Sequence, residues 1–223
     1  MAYILNIETS TSNCSVALSE SGSIVGLKED NNLEYSHAER LHVYIDDVLK
    51  ASKISIDQLD AIAISKGPGS YTGLRIGVSA AKGLCYALKL PLISVPTLEA
   101  LAHQVEAPKG VVVAMLDARR QEVYSAIYDA HFSEIRSTEA EILTANSYQE
   151  LLVSSPVYFI GNGVAKTKEI ITHENAHFVE HKLPSAKQMC ALSFEKFKVS
   201  NFEDVAYFEP FYLKDFIAIP SKK

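Results

Sequence analysis

The 223-residue chain contains no apolar run near the ~20 residues that a membrane-spanning helix needs. Its first residues, MAYILNIETS, lack the basic flank and the apolar length of a secretory leader. Cysteine is scarce. Cys14, Cys85 and Cys190 are far apart and odd in number, which fits reduced thiols better than a disulfide framework. Basic clusters are missing too: the longest is the terminal SKK, and the net charge is −6, whereas an independent nucleic-acid binder carries a basic footprint. No low-complexity linker divides the chain. These absences predict a cytoplasmic protein, outside the membrane, that does not hold RNA strongly by itself.

What is present is ordinary globular material, 48% hydrophobic and 22% charged, in a length that suits two small apposed lobes. YILNIE reads as a buried strand, and CSVALS and IVGLKE follow as a hairpin. YSHAERLHVYIDDVLKAS opens on a capping-box pattern, Ser36 and Glu39, and places Leu41, Tyr44, Ile45, Val48 and Leu49 at helical spacing. LDAIAISK is a strand, TGLRIGVSAAKGLCYALKL a helix, PLISV a strand and TLEALAHQV another helix. From Gly110 the order resumes with GVVVAMLDA and EVYSAIYDA. The pattern predicts an α/β fold of two related lobes with mixed sheets, residues 1–105 and 106–223, the second lobe shortened. The aromatic tail DVAYFEPFYLKDF is expected to pack down.

Among the motifs, SKGPGSYTGLRIG holds four of the ten glycines. It follows a strand and opens a helix, as a phosphate cradle would, but it lacks the P-loop's lysine and spacing, and Pro68 removes one donor. Gly69, Gly73, Gly77 and Ala81 instead recur every four residues, a stripe of nearly absent side chains that lets another backbone come close. The segment packs on its own sheet, at a subunit interface, or both. IETSTSN sets an acid and four hydroxyls at a strand end, where α/β proteins place phosphates and metals; a hydroxyl-rich turn explains it equally. HENAH (173–177) spells the zinc-protease motif, whose chemistry needs a helix with both imidazoles on one face, yet it sits where a helix ends. In HAERLH the two histidines fall about 140° apart on a helix and cannot share a metal.

Taken together, IETSTSNCSVAL, SHAERLHVYIDDVL, SKGPGSYTGLRIGVSAAKGL, PLISVPTLEALA, LDARRQEVY, the GNG turn at 161–163 and the late FYLKD resemble the bacterial TsaB (YeaZ) family. The resemblance spans essentially the whole chain and is best over residues 1–125. It implies a duplicated actin/sugar-kinase-like (ASKHA) fold. It also implies pairing with a paralogous subunit, TsaD, and with an ATPase subunit, TsaE. That machinery installs threonylcarbamoyl on N6 of the tRNA adenosine just 3′ of the anticodon.

TsaD-like sequences carry two metal-binding histidines four residues apart after a PL-x-x-V strand. Here PLISVPTLEALAH sets Thr97 and Leu101 at those positions, with His103 two residues late. A hydroxyl and an isobutyl group cannot replace two imidazoles, so the resemblance implies a non-catalytic partner subunit with no metal and no catalytic residue. In the family, the first helix and the helix after the glycine loop pack on the same helices of the partner. The implied interface is Leu41, Tyr44, Ile45, Val48, Gly73, Leu74, Gly77 and Ala81, and the same patch would join two copies when the chain is alone. Glu8, Ser10 and Ser12 are the candidates for an ATP or ADP at the seam between partners; no tightly bound cofactor is expected. tRNA is expected to be met only through the complex. Two other readings stand beside this one: an ATP-dependent small-molecule kinase of the same superfold, and a zinc peptidase suggested by HENAH.

Overall fold

In a computed structural model, residues 1–31, 37–106 and 108–214 are described. Ser36, half of the expected capping box, lies outside them. The first lobe begins with β1 (Tyr3–Glu8), β2 (Cys14–Glu20) and β3 (Ser23–Asp30), then α1 (His37–Ser52), β4 (Ala61–Ser65), α2 (Tyr71–Leu88), β5 (Leu92–Val95) and α3 (Thr97–Ala102). The second repeats that order: β6 (Val111–Asp117), β7 (Glu122–Tyr128), β8 (Glu134–Ile142), α4 (Gln149–Ser154), β9 (Val157–Ile160), α5 (Val164–Ile170), β10 (Ala176–Val179) and α6 (Ala186–Lys198). The second lobe therefore repeats every strand and α-helix of the first. Its shortening is internal, with 6 and 7 residues in α4 and α5 against 16 and 18 in α1 and α2.

Each sheet has five strands, in the orders β3-β2-β1-β4-β5 and β8-β7-β6-β9-β10. The hairpin strands pair antiparallel and the strands reached through helices pair parallel. This is the duplicated actin/sugar-kinase-like arrangement. Strand β1 is covered on both faces, which is why YILNIE reads as continuous apolar sequence. Leu5 and Ile7 face α1 and α2, while Ile4 faces the opposite side. The polar exception on that side, Asn6, is satisfied there: Ser193 of α6 donates to its Oδ1 at 2.7 Å, and its own Nδ2 donates to the Ile4 carbonyl at 3.1 Å.

The last helix of each repeat crosses to the other repeat's sheet. Met189 and Cys190 of α6 pack on Ile4, Ala17, Ala63 and Ile93 of the first sheet. Leu98, Leu101 and Ala102 of α3 pack on Val112, Ala114, Ala126 and Ile160 of the second. Both sheets are thus sandwiched, and each lobe depends on the other for one layer.

Beyond α6 the chain turns back over the first lobe. The Glu203 amide donates to the Leu92 carbonyl at 2.8 Å, Lys82 donates to the carbonyls of Ala206 and Phe208 at 3.1 and 2.9 Å, and the Phe211 amide reaches Lys66 at 2.7 Å. Val205 and Phe208 pack against the α1–α2 core. The tail is packed down, as its aromatics predict; residues 215–223 lie outside the described part. No helix among the described residues is long and apolar enough to cross a membrane.

Candidate functional site

The carboxyl ends of β1 and β4, the β1–β2 turn and the glycine loop meet at one place, and Glu8 and Ser10 lie there. Glu8 closes β1 and is fully buried. Its Oε1 accepts from the Ser10 amide at 2.6 Å. Its Oε2, the Ser10 hydroxyl and the Ser65 hydroxyl are buried without a hydrogen-bond partner. Burial pushes the Glu8 carboxyl above the ordinary glutamate value, against the opposing pull of the Ser10 amide and of the nearby Ser10 and Ser65 hydroxyls and Thr9 amide, which lie short of hydrogen-bond geometry. Of the nucleotide candidates, Glu8 and Ser10 are brought together in this sealed corner. Ser12 stands apart, its hydroxyl donating to Asn31 Oδ1 at 2.6 Å.

The glycine stripe is filled from within the chain. A Cβ on Gly69 would sit 2.4 Å from the Ser10 carbonyl oxygen, one on Gly73 2.1 Å from the Thr9 carbonyl oxygen, and one on Gly77 2.2 Å from Thr9 Oγ1. Thr9 Oγ1 donates to the Gly73 carbonyl at 2.8 Å, and the Ser70 amide donates to Ser10 at 2.6 Å. The helix start is therefore plugged by the β1–β2 turn, where a phosphate cradle would be open. The second lobe has a close approach of its own: Gly161 passes the Met115 carbonyl, inside β6, so closely that a Cβ would lie 2.0 Å from its oxygen.

The eight residues expected to face a partner are all buried against their own lobe. Leu41, Tyr44, Ile45 and Val48 sit in the core with Ala81, and Gly73, Leu74 and Gly77 are equally covered. Amphipathic spacing identifies an apolar face but not what lies against it, and here the sheet claims it. The opposite faces of the same helices are only partly covered by the described residues. His42, Ile76, Ser79, Ala80, Gly83 and Leu84 line a shallow hollow of about 360 Å³. A Cβ on Gly83 would meet nothing within 4 Å, and Val43 and Tyr86 nearby are 54% and 85% exposed.

Thr97 and Leu101 are committed to packing. The Gly67 amide donates to Thr97 Oγ1 at 3.1 Å, and the Thr97 amide donates back to the Gly67 carbonyl at 3.1 Å. Leu101 is fully buried in the second lobe's core beneath Gly161. His103 Nδ1 lies 2.9 Å from the Glu99 carbonyl, and its ring stacks on Phe132. The sequence reading missed this clamp between Thr97 and Gly67; its signal is a threonine opening a helix directly after Pro96. It also missed His37, whose Nε2 donates to the Thr11 carbonyl at 2.5 Å, and Arg75, which lies over the Tyr71 ring and donates to Tyr212 at 3.3 Å.

HENAH does not form the helix that zinc-protease chemistry needs. Its first half is a turn, in which the Asn175 amide donates to His173 Nδ1 at 3.1 Å, and its second half enters β10, where His177 stacks on Tyr158. No group of three or more His, Cys, Asp or Glu among the described residues could hold a metal ion. The three thiols are buried, and burial raises Cys14 to about 11 and Cys85 and Cys190 to about 12, far from the thiolate that nucleophilic chemistry requires.

Known proteins share this architecture. The family model for TsaD, tRNA N6-adenosine threonylcarbamoyltransferase, matches residues 32–220. The tRNA threonylcarbamoyladenosine biosynthesis protein TsaB of Escherichia coli K12 is 31% identical over 99% of both chains. Its Haemophilus influenzae namesake is 31% identical over 95% of this chain and 93% of its own. Among solved structures, YeaZ from Pseudomonas aeruginosa superposes with a TM-score of 0.83 at 27% identity, covering 96% of this chain and all (100%) of that one.

Proposed function

The chain belongs to the TsaB (YeaZ) family of tRNA threonylcarbamoyladenosine biosynthesis proteins, and on that premise we propose that it is the pathway's non-catalytic partner subunit. In this reading it binds and activates a TsaD-like transferase that modifies N6 of the tRNA adenosine 3′ of the anticodon. It works in the cytoplasm, with a TsaE-like ATPase joining the assembly. The observation that carries the reading is the use made of Thr97 and Leu101. Where the resemblance implies metal-binding histidines in the catalytic paralogue, this chain has a loop clamp and a core residue.

The surface we assign to the partner is the outward face of α1 and α2, namely Val43, Ile76, Ala80, Gly83 and Leu84. It combines exposed Val43 and half-buried Ile76, Ala80 and Leu84 with a glycine that leaves room for a neighbouring helix, the makings of a close-packed interface core. The same face would join two copies when the transferase is absent. A nucleotide, if the assembly holds one, belongs at the seam with the partner, because the corner around Glu8 and Ser10 is sealed by the glycine loop.

The test is co-purification with the TsaD-like protein of the same organism, followed by a tRNA threonylcarbamoylation assay with and without this chain. Pairing and a dependence of activity on the chain are expected. Val43→Asp and Gly83→Arg, at positions exposed in the free chain, should each weaken pairing about tenfold or more, as charging an interface position does, while the melting temperature of the isolated chain does not fall. Full activity of the transferase alone would sink the reading.

A further inference from the structure

The counterpart of the buried β1–β2 turn in the second lobe is the turn from β6 to β7, residues 118–121, and it is built the opposite way. Among the described residues nothing covers its tip: Arg119, Arg120 and Gln121 are all exposed. Arg119 and Arg120 both have left-handed backbones, φ 71° and 51°, a region that Asn, Asp and Gly enter far more readily than longer side chains. The turn is nevertheless rigidly held. Lys166 donates to Asp117 Oδ1 at 2.7 Å and to the Arg120 and Glu122 carbonyls at 2.6 and 3.1 Å, and Asp117 Oδ1 accepts from the Arg119 amide at 2.6 Å. Both flanking acids are already neutralised, Asp117 by Lys166 and Glu122 by Lys214. The two guanidiniums have no hydrogen-bond or ion-pair partner among the described residues. A chain of net charge −6 thus holds two adjacent arginines outward on a fixed turn, with no partner for either among the described residues.

We propose that Arg119 and Arg120 contact the phosphate backbone of tRNA when this chain is assembled with its transferase; the assignment rests on the function proposed above. Guanidinium forks match phosphate oxygens, and the paired left-handed residues of the hairpin turn, held by Lys166 and Asp117, fix where the two side chains leave the backbone. A nucleic-acid strand fits better than a free nucleotide because the arginines stand exposed on a turn and line neither the hollow on α1 and α2 nor the one bounded by Asn13, Glu29 and Lys187. Two cations are too few to hold RNA unaided, in keeping with the acidic balance of the chain. The turn contributes register and affinity inside the complex and carries no sequence information.

The experiment uses the reconstituted complex with its TsaD-like partner, first in wild-type form and then with Arg119→Gln/Arg120→Gln or Arg119→Asn/Arg120→Gly. Pairing is followed by gel filtration and tRNA affinity by fluorescence anisotropy over a range of KCl concentrations. Both variants should pair normally, bind tRNA roughly tenfold more weakly near 0.1 M salt, and lower the slope of log K against log salt by about 1–2, since each phosphate contact contributes about 0.7–0.9. The Asn/Gly variant should also melt at a higher temperature than wild type, because it relieves the left-handed backbone. Normal pairing with unchanged affinity and slope overturns this proposal and leaves the partner-subunit reading intact. Loss of pairing in the variants makes the turn a protein contact and overturns it as well. Arginine-dependent binding of Mg-ATP with tRNA affinity unchanged would replace RNA by a nucleotide. A wild-type chain that fails to pair overturns both readings.

Discussion

Glu8 concentrates the chemistry of single residues in this chain. A carboxyl with no exposure and one unpartnered oxygen binds its proton more tightly folded than unfolded. Its contribution to stability is therefore fully present below the unfolded value, roughly 4, and is lost as pH rises through the raised folded value. Glu8→Gln keeps an acceptor for the Ser10 amide and has no proton to lose. It should melt above wild type at pH 7–8 and lose that advantage by pH 4, as thermal unfolding of both proteins across that range would register. A variant less stable at every pH would mean that Ser10 and Ser65 hold an ionised carboxylate. The cysteines are quiet by the same physics: with thiols raised to about 11 and 12 by burial, a neutral-pH alkylating reagent should label the folded chain negligibly and label all three sites in denaturant.

Among the elements, α2 shows what its spacing could and could not say. The stripe Gly69, Gly73, Gly77 and Ala81 was legible as a stripe, because a four-residue repeat aligns on a helix. Its occupant was not. Thr9 lies 64 residues from Gly73 in sequence, and no local pattern says whether an absent side chain admits a chain's own turn or another subunit's helix. Gly73→Ala and Gly77→Ala should each cost about 1–3 kcal/mol by overpacking, read as a lowered denaturation midpoint, so a bulkier residue at Gly77 would report on folding before it reported on pairing. Gly83→Ala, facing open space, should instead stabilise the free chain by about 0.5–1 kcal/mol through helix propensity. Strand and helix order was readable through the first lobe, where the apolar periods run long enough to identify each element. HENAH shows the limit of letters alone: the string matches a zinc motif, and the backbone beneath it is a turn running into a strand.

At the scale of the whole molecule, the duplication was visible in element order, but the exchange of α3 and α6 between lobes was not. An apolar helix face looks the same whichever sheet receives it, and the cut between residues 105 and 106 leaves each of these helices on the opposite side from the sheet it covers. Residues 1–105 made alone should therefore lack cooperative thermal unfolding and bind a hydrophobic dye, and adding the second half should restore both. The exchange also has a consequence in time. A ribosome finishes β5 at Val95 but does not reach α6 until Ala186, so at about 5–20 residues per second the first sheet waits several seconds with Ile4, Ala17 and Ile93 uncovered. During synthesis, that face is where a nascent chain of this protein needs a chaperone.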